Sequence, residues 1–111
     1  MIKKQTRVGE VSFITLENEY LKVELASYGA SIFHLYVKTP DGLKEVSVQP
    51  NDIDEFLTSD FYYGKTVGRT AGRIFGPTYD IDDITYFLND DVLLHSGEGG
   101  FSFKHFDVLE F

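Results

Sequence analysis

The segment Tyr20-Leu21-Lys22-Val23-Glu24-Leu25-Ala26 alternates between apolar and charged residues. Its two leucines and its valine fall on one face, and its lysine and glutamate fall on the other, which is the period-2 pattern of a half-exposed β-strand. The preceding segment, residues 10–16, is apolar on much of both faces, and the polar stretch Glu17-Asn18-Glu19 separates the two segments. Together they predict an antiparallel hairpin.

Further segments have strand chemistry, being rich in β-branched and aromatic residues: 31–37, 44–48, 78–81, 84–88 and 105–111. Thr39-Pro40-Asp41-Gly42 has the proline and glycine of a tight turn, so residues 31–37 and 44–48 predict a second hairpin. Asp82-Asp83 predicts the turn of a third hairpin, and Asn89-Asp90-Asp91 predicts a loop. The chain ends inside the final strand, which favours a chain cut from a longer one.

Residues 51–57 are the exception to this pattern. A capping residue stands ahead of Ile53, Phe56 and Leu57, whose i, i+3, i+4 spacing predicts one or two turns of helix. The acidic residues here lack the glycine and terminal glutamate of a calcium loop. Negative charge at a helix start is the simpler interpretation.

Short antiparallel strands about ten residues apart are typical of a β-sandwich or barrel. The chain has 111 residues, the usual length of one domain, so we expect a single all-β domain over residues 1–111. Hydrophobic residues make up 42% and charged residues 25%, which is ordinary for a globular protein. The net charge of −8 repels phosphate backbones, so we expect no nucleic-acid partner.

Cysteine is absent, which excludes a disulfide framework, a thiolate zinc site and a cysteine nucleophile. The basic N-terminus lacks the apolar stretch of a signal peptide. No window approaches the roughly 20 apolar residues of a membrane-spanning helix. We therefore expect a cytoplasmic protein with no membrane partner.

Two glycine-rich blocks, residues 63–74 and 93–101, hold the side chains of greatest chemical interest. Arg73 offers a rigid fork of donors, and His95 can donate, accept or carry a proton near neutral pH. Arg73 could instead pair with a structural carboxylate, and His95 could equally be structural. Because strand ends and the loops after them often carry functional groups, we interpret the two blocks as one wall of a small-molecule site.

Other sites are disfavoured. The blocks lack the Gly-Lys-Ser/Thr ending of a P-loop and the βαβ setting of a dinucleotide site. The histidines, residues 34, 95 and 105, are too scattered for a zinc motif, and we expect no metal or other cofactor. His34 is interpreted as packed or half exposed on a sheet, and Glu98 as a solvated loop residue.

The order of several motifs resembles the N-terminal part of the aldose 1-epimerase (galactose mutarotase) family. The motifs are Tyr63-Gly64-Lys65-Thr66-Val67-Gly68-Arg69-Thr70-Ala71-Gly72-Arg73-Ile74, Tyr86-Phe87-Leu88-Asn89, Leu94-His95-Ser96-Gly97 and Gly100-Phe101. The family has Ala-Asn/Gly-Arg-Ile, Tyr-x-Leu-x-x-Asn, Leu-His-Gly-Gly and Gly-Phe in this order. Two departures stand out, since Ser96 replaces a glycine and Phe106 stands where a tryptophan is usual.

The resemblance implies a galactose mutarotase-like antiparallel β-sandwich, here only its N-terminal part. It also implies an enzyme that interconverts the α and β anomers of an aldose such as galactose or glucose. Arg73 and His95 match the family's substrate-binding arginine and histidine. The family's acid and base come from the C-terminal portion of longer chains, so the resemblance implies no catalytic residue in this chain and little activity of this chain alone.

A non-catalytic carbohydrate-binding or interaction module is the alternative. A partly built sandwich would leave strand edges and an apolar face uncovered, so we also expect self-association.

Overall fold

A computed structural model describes residues 1–89 and 91–110. Its largest sheet is an antiparallel meander in which each strand is bonded to the next along the chain: β1 (Ile2–Val8), β2 (Val11–Glu17), β3 (Leu21–Ala26), β4 (Ser31–Thr39) and β5 (Gly42–Glu45). After it come helix α1 (Ile53–Thr58), strand β6 (Arg73–Phe75), strands β7 (Thr78–Ile81) and β8 (Ile84–Phe87), and strand β9 (Val92–Leu94). Strand β6 pairs with β9, and β7 pairs with β8. The all-β, antiparallel class is thus confirmed.

The predicted hairpin of β2 and β3 is present, with Phe13 opposite Ala26 and Ile14 opposite Leu25. Strand β4 continues the sheet, as its sequence predicted. A bulge between Glu24 and Leu25 shifts the β3–β4 register by one residue. Because an extra residue in one strand changes the face on which its neighbours lie, the bulge lets Phe33 pack on the same side of the sheet as Phe13.

Helix α1 covers one face of this sheet. Phe56 is fully buried there, and its ring meets Tyr28 edge-on at a centroid distance of 5.6 Å and Phe33 at 4.9 Å. Tilted and edge-on ring pairs are favourable beyond the area they bury. The remaining core members are Val11, Phe13 and Ala26, with Ile53, Leu57 and Phe103 packed against them.

The predicted start of the helix is confirmed in detail. The Asp52 side chain accepts a hydrogen bond from the Glu55 N–H at 2.8 Å, and the Glu55 carboxylate accepts one from the Asn51 N–H at 2.7 Å. This reciprocal arrangement satisfies backbone donors that the first helical turn leaves unpaired. The Asp52 and Glu55 carboxylates therefore cap the helix. Among the described residues no group of three or more His, Cys, Asp or Glu side chains that could hold a metal ion is found.

Helix α1 does not cover the other face of the sheet. Cross-strand pairs place leucines, isoleucines and valines side by side on this face: Ile14, Leu16, Leu21, Val23, Leu25, Ile32, Leu35 and Val37. We call these eight residues the open face. The segment 106–110 lines a groove of about 370 Å³ with Ile14 and Leu25 at one end of it.

Strand β5 is shorter and earlier than predicted, because it spans Gly42–Glu45 rather than residues 44–48. Beyond Glu45 a side chain replaces the backbone acceptor, since the Leu35 N–H donates to Ser47 Oγ at 2.9 Å. The Ser47 side chain therefore ends the β4–β5 ladder, which the strand pattern of residues 44–48 had predicted to continue to Val48.

Two further differences concern the ends of the chain. Strand β1 was not predicted, because Lys3, Lys4 and Arg7 obscure its pattern; it is an exposed edge strand held by pairing with β2. The predicted strand over residues 105–111 is wrong for the described residues, which form only a bridge between His105 and Tyr28. Tyr28 lies in the short connection between β3 and β4, and Ala26 and Ser31 on either side of this connection pair with each other, so the bridge does not extend into a ladder. Phe111 lies outside the described residues.

The third hairpin is confirmed. Asp82 and Asp83 both have positive φ, 51° and 62°, as a two-residue turn of type I′ requires. Tyr79 and Tyr86 stack across the two strands with ring centroids 5.3 Å apart. The predicted loop at Asn89 and Asp91 joins β8 to β9, while Asp90 lies outside the described residues.

Lys65 is an unexpected member of the core. It is 7% exposed, and its Nζ has no hydrogen-bond partner among the described residues. The ammonium lies 4.7 Å from the ring centroids of Tyr28 and Phe103 and 5.3 Å from that of Phe56. Burial lowers the pKa of Lys65, although the nearby Asp60 carboxylate opposes this. The aromatic rings offset part of the cost of removing the charge from water.

Replacing Lys65 with methionine should therefore change the pH dependence of stability. At pH values between the lowered pKa of Lys65 in the folded protein and its ordinary pKa, the unfolded chain binds more protons than the folded one. The wild-type protein therefore gains stability as pH rises through the folded-state pKa of Lys65. At pH 7, Lys65→Met is expected to have a larger unfolding free energy than the wild type. This difference should be smaller at pH 10, as measured by urea denaturation at both pH values. If this difference in unfolding free energy stayed constant with pH, burial would not lower the pKa of Lys65.

Candidate functional site

The two glycine-rich blocks come together through the pairing of β6 with β9. Arg73 lies opposite Leu94 in that register, so Gly72 and His95 face each other one step further along. The His95 N–H donates to the Gly72 carbonyl at 2.9 Å. The backbone thus brings Arg73 and His95 to the same end of one small sheet. The interpretation of the two blocks as one wall of a small-molecule site stays a prediction.

The ring of His95 is fixed in a defined chemical state. The Gly72 N–H donates to His95 Nδ1 at 2.9 Å. Because a backbone N–H can only donate, Nδ1 must be the unprotonated nitrogen, and the neutral ring carries its hydrogen on Nε2. No described residue bonds Nε2. Its N–H is therefore a donor available to a ligand oxygen.

Arg73 is exposed at the start of β6. Among residues 1–89 and 91–110 the guanidinium has no carboxylate within ion-pair distance and no side-chain hydrogen bond. In that part of the chain, Arg73 therefore does not form the structural ion pair with a carboxylate that was the alternative interpretation. Its donors remain open to a ligand with acceptor oxygens.

Tyr62 supports the histidine, although it was not predicted as a site residue. Its ring meets the His95 ring edge-on at a centroid distance of 4.8 Å, and its hydroxyl donates to the Leu94 carbonyl at 3.3 Å. Tyr62 stands next to the first glycine block, which was the only available signal. A neighbouring cleft of about 420 Å³ is lined by Tyr62 and Leu94, but neither Arg73 nor His95 lines it.

Gly68 explains why the first block needs glycine at its centre. A Cβ built on Gly68 would lie 3.0 Å from the Phe101 ring, closer than ordinary packing permits. The Phe101 N–H donates to the Gly68 carbonyl at 2.9 Å, so the two blocks touch here a second time. The Arg69 guanidinium lies over the same ring, with its Cζ 5.5 Å from the centroid.

The other residues considered from sequence lie away from this pair. His34 is half-buried on β4, with Nδ1 2.6 Å from Glu45 Oε1, in agreement with a histidine packed on a sheet. Glu98 is exposed in a 3-10 turn. Phe106 donates its N–H to the Ser27 carbonyl and meets Phe101 edge-on at 6.0 Å.

None of the described helices is long and apolar enough to span a bilayer.

Comparison with known proteins identifies the family to which the chain belongs. The family model of the aldose 1-epimerases matches residues 12–110, so the chain belongs to the aldose 1-epimerase family. The galactose mutarotase of Bos taurus is 33% identical over 97 residues, which cover 84% of this chain and 28% of that protein. The aldose 1-epimerase of Haemophilus influenzae is 31% identical over 101 residues, or 87% of this chain and 29% of that protein.

Solved structures give the same result. An aldose epimerase homologue from C. elegans superimposes with a TM-score of 0.83 at 28% identity, covering 91% of this chain and 33% of that one. A galactose 1-epimerase from Lactobacillus acidophilus gives a TM-score of 0.71 at 25% identity, covering 91% and 31%. The galactose mutarotase type of fold is thus confirmed. The chain spans less than a third of the length of the curated relatives it matches.

Proposed function

We propose that this chain supplies the sugar-orienting part of an aldose 1-epimerase, with Arg73 and His95 hydrogen-bonding an aldose such as galactose or glucose. The observation that carries the proposal is the β6–β9 pairing, which brings Arg73, at the start of β6, to the same end of the small sheet as His95, whose Nε2–H is available. Both groups are donors. A sugar presents lone pairs on its ring oxygen and hydroxyls, so its chemistry complements theirs.

The proposed role is positioning and polarisation. Mutarotation needs a base that takes the proton of the anomeric hydroxyl and an acid that protonates the ring oxygen, after which the ring opens, C1 rotates and the ring recloses. Donors held against the ring oxygen would favour the charge that develops there. We assign neither proton-transfer role to a residue of this chain; Glu98 is exposed and unsuited to it.

Affinity measurements on single variants test the proposal. Arg73→Gln is expected to weaken galactose binding roughly tenfold or more, because it removes charged donors, and His95→Gln by roughly threefold to tenfold. Arg7→Gln on strand β1 is the matched control and should bind as the wild type does. Equal affinity for all four proteins in an NMR titration would refute the assignment of Arg73 and His95.

A non-catalytic carbohydrate-binding or interaction module is a second candidate, favoured by the small share of its relatives that the chain spans. Polarimetry separates the two. A chain that binds sugar while anomers equilibrate no faster than in buffer acts as a binding module. If the chain accelerates equilibration and His95→Ala leaves that rate unchanged, a different site performs the chemistry.

We further propose that a second copy of this chain covers the open face. A compact protein of this mass exposes roughly 6,200 Å², whereas this chain exposes 7935 Å². Since a stable interface takes roughly 800 Å² from each partner, the excess is large enough for one. The edge strand β1 carries Lys3, Lys4 and Arg7, and such charges oppose pairing at the edge, so the face is the better surface.

Sedimentation equilibrium tests this association. The wild type should show a concentration-dependent dimer, and Val23→Lys, which places a charge on the open face, should shift it to monomer. Leu43→Lys on the edge strand β5 is the control and should remain dimeric. A wild type that stays monomeric at high concentration rejects self-association, and loss of the dimer in Leu43→Lys alone would place the interface at the strand edge.

A further inference from the structure

Ser96 comes directly after His95 in a conformation that serine rarely adopts. Its φ is 70°, and that of His95 is 49°, so two successive non-glycine residues occupy the left-handed region. Few residues other than glycine, asparagine, aspartate and histidine are found there. A serine held in this conformation calls for interactions that a glycine could not provide.

The Ser96 hydroxyl provides them through a single partner residue. Its Oγ accepts a hydrogen bond from the Thr70 N–H at 2.8 Å, lies 3.0 Å from Thr70 Oγ1, and donates to the Thr70 carbonyl at 3.0 Å. A hydroxyl has one donor and two acceptor positions. The Ser96 hydrogen goes to the Thr70 carbonyl, so the Thr70 hydroxyl must be the donor in the contact between the two side chains. The donor and both acceptor positions of the Ser96 hydroxyl are therefore occupied by Thr70.

The same two segments are joined again at the next residues. The His95 N–H donates to the Gly72 carbonyl, and the Gly72 N–H donates to His95 Nδ1, both at 2.9 Å. The segment 70–72 is therefore held by Ser96 at one end and by His95 at the other, and it leads directly into Arg73. Displacing Thr70 would move the donor that fixes the histidine ring.

We propose that Ser96 is a positioning residue, whose hydroxyl holds segment 70–72 so that the Gly72 N–H stays on His95 Nδ1 and the Nε2–H tautomer is maintained. That tautomer offers a donor to a sugar oxygen, whereas the other tautomer offers an acceptor. The link to sugar rests on the proposed function. The link between the Ser96 hydroxyl and the ring of His95 is independent of it and holds in the free protein.

Two variants at one position separate the hydroxyl from the backbone conformation. Ser96→Ala and Ser96→Gly both remove every side-chain hydrogen bond to Thr70, but glycine adopts a φ of 70° at lower cost than alanine does. Ser96→Gly should therefore have the higher Tm. Both variants should lose tautomer selection equally. Thr70→Ser, which keeps the hydroxyl and both backbone groups, should behave as the wild type.

The readout is the pair of imidazole ¹⁵N chemical shifts of His95, measured at neutral pH without sugar. The wild type and Thr70→Ser should show a pyridine-like Nδ1 and a pyrrole-like Nε2, and both Ser96 variants should show shifts averaged toward each other. Galactose affinity should fall roughly threefold to tenfold in both Ser96 variants, the loss expected for one misplaced hydrogen bond.

Unchanged imidazole shifts in both Ser96 variants would overturn the proposal. So would averaged shifts in Ser96→Ala with wild-type shifts in Ser96→Gly, because backbone strain would then be the cause. Failure of galactose to perturb the wild-type protein would reject the proposed function alone, since the sugar-free spectra still decide the role of Ser96.

Discussion

Gly64→Ala is expected to destabilise the protein by about 3 kcal/mol or more, because it combines a backbone clash with a disfavoured conformation. A Cβ on Gly64 would clash with the carbonyl oxygen of Ile32, and φ at Gly64 is +56°. The Ile32 N–H also donates to the Gly64 carbonyl at 2.9 Å. Relieving the clash would therefore pull the first glycine block away from strand β4.

Gly9→Ala is the matched control for this variant. Gly9 has φ of +58°, nearly the same as Gly64, but nothing lies within 4 Å of its Cβ position. The conformational penalty alone costs about 1 kcal/mol. Urea denaturation should show a clearly larger loss for Gly64→Ala. Equal losses would mean that the close approach of Gly64 to Ile32 does not constrain the fold.

Phe56→Ala should cost about 3–5 kcal/mol of unfolding free energy, the range for truncating a fully buried aromatic side chain. Phe56 is 0% exposed and contacts the rings of Tyr28 and Phe33. Removing it takes away the most deeply buried side chain of helix α1 at the sheet. The Phe56→Ala variant should also show a weaker near-ultraviolet circular dichroism signal than the wild type, because its remaining aromatic side chains are less tightly packed.

Phe87→Ala provides the comparison, since Phe87 is 81% exposed on β8. Exposed substitutions of this kind usually change stability by less than about 0.5 kcal/mol. Similar unfolding midpoints for the two variants would contradict the central position of Phe56 in the core.

Local patterning was sufficient to predict the middle of the sheet. Alternation in residues 20–26 predicted β3, because one face of that strand differs sharply from the other. The β-branched and aromatic residues in 31–37 predicted β4 from their strand propensity. A capping residue ahead of the spaced apolar residues in 51–57 predicted the helix start, since capping is a contact between residues close in sequence, and the structure identifies Asp52 as that cap. Motif order placed Arg73 and His95 in two glycine-rich blocks, which the β6–β9 pairing joins.

Features that depend on distant partners could not be predicted in this way. Strand β1 is exposed throughout and is defined by its pairing with β2. The end of β5 is decided by the Ser47 hydroxyl on Leu35, a contact across twelve residues. Lys65 is a charged residue in the core whose surroundings come from three separate segments. The contact of Ser96 with Thr70 joins residues 26 apart.

Chemical-shift mapping with galactose tests the central claim most directly. In a titration of the labelled chain, we predict that the Arg73 Nε–H, the His95 imidazole and the Gly72 amide shift together with one dissociation constant. Signals of the open face, such as Val23, should stay unchanged. Sugar-dependent shifts confined to other surfaces, or none at Arg73 and His95 at saturating galactose, would contradict the claim that these residues form the sugar-binding wall.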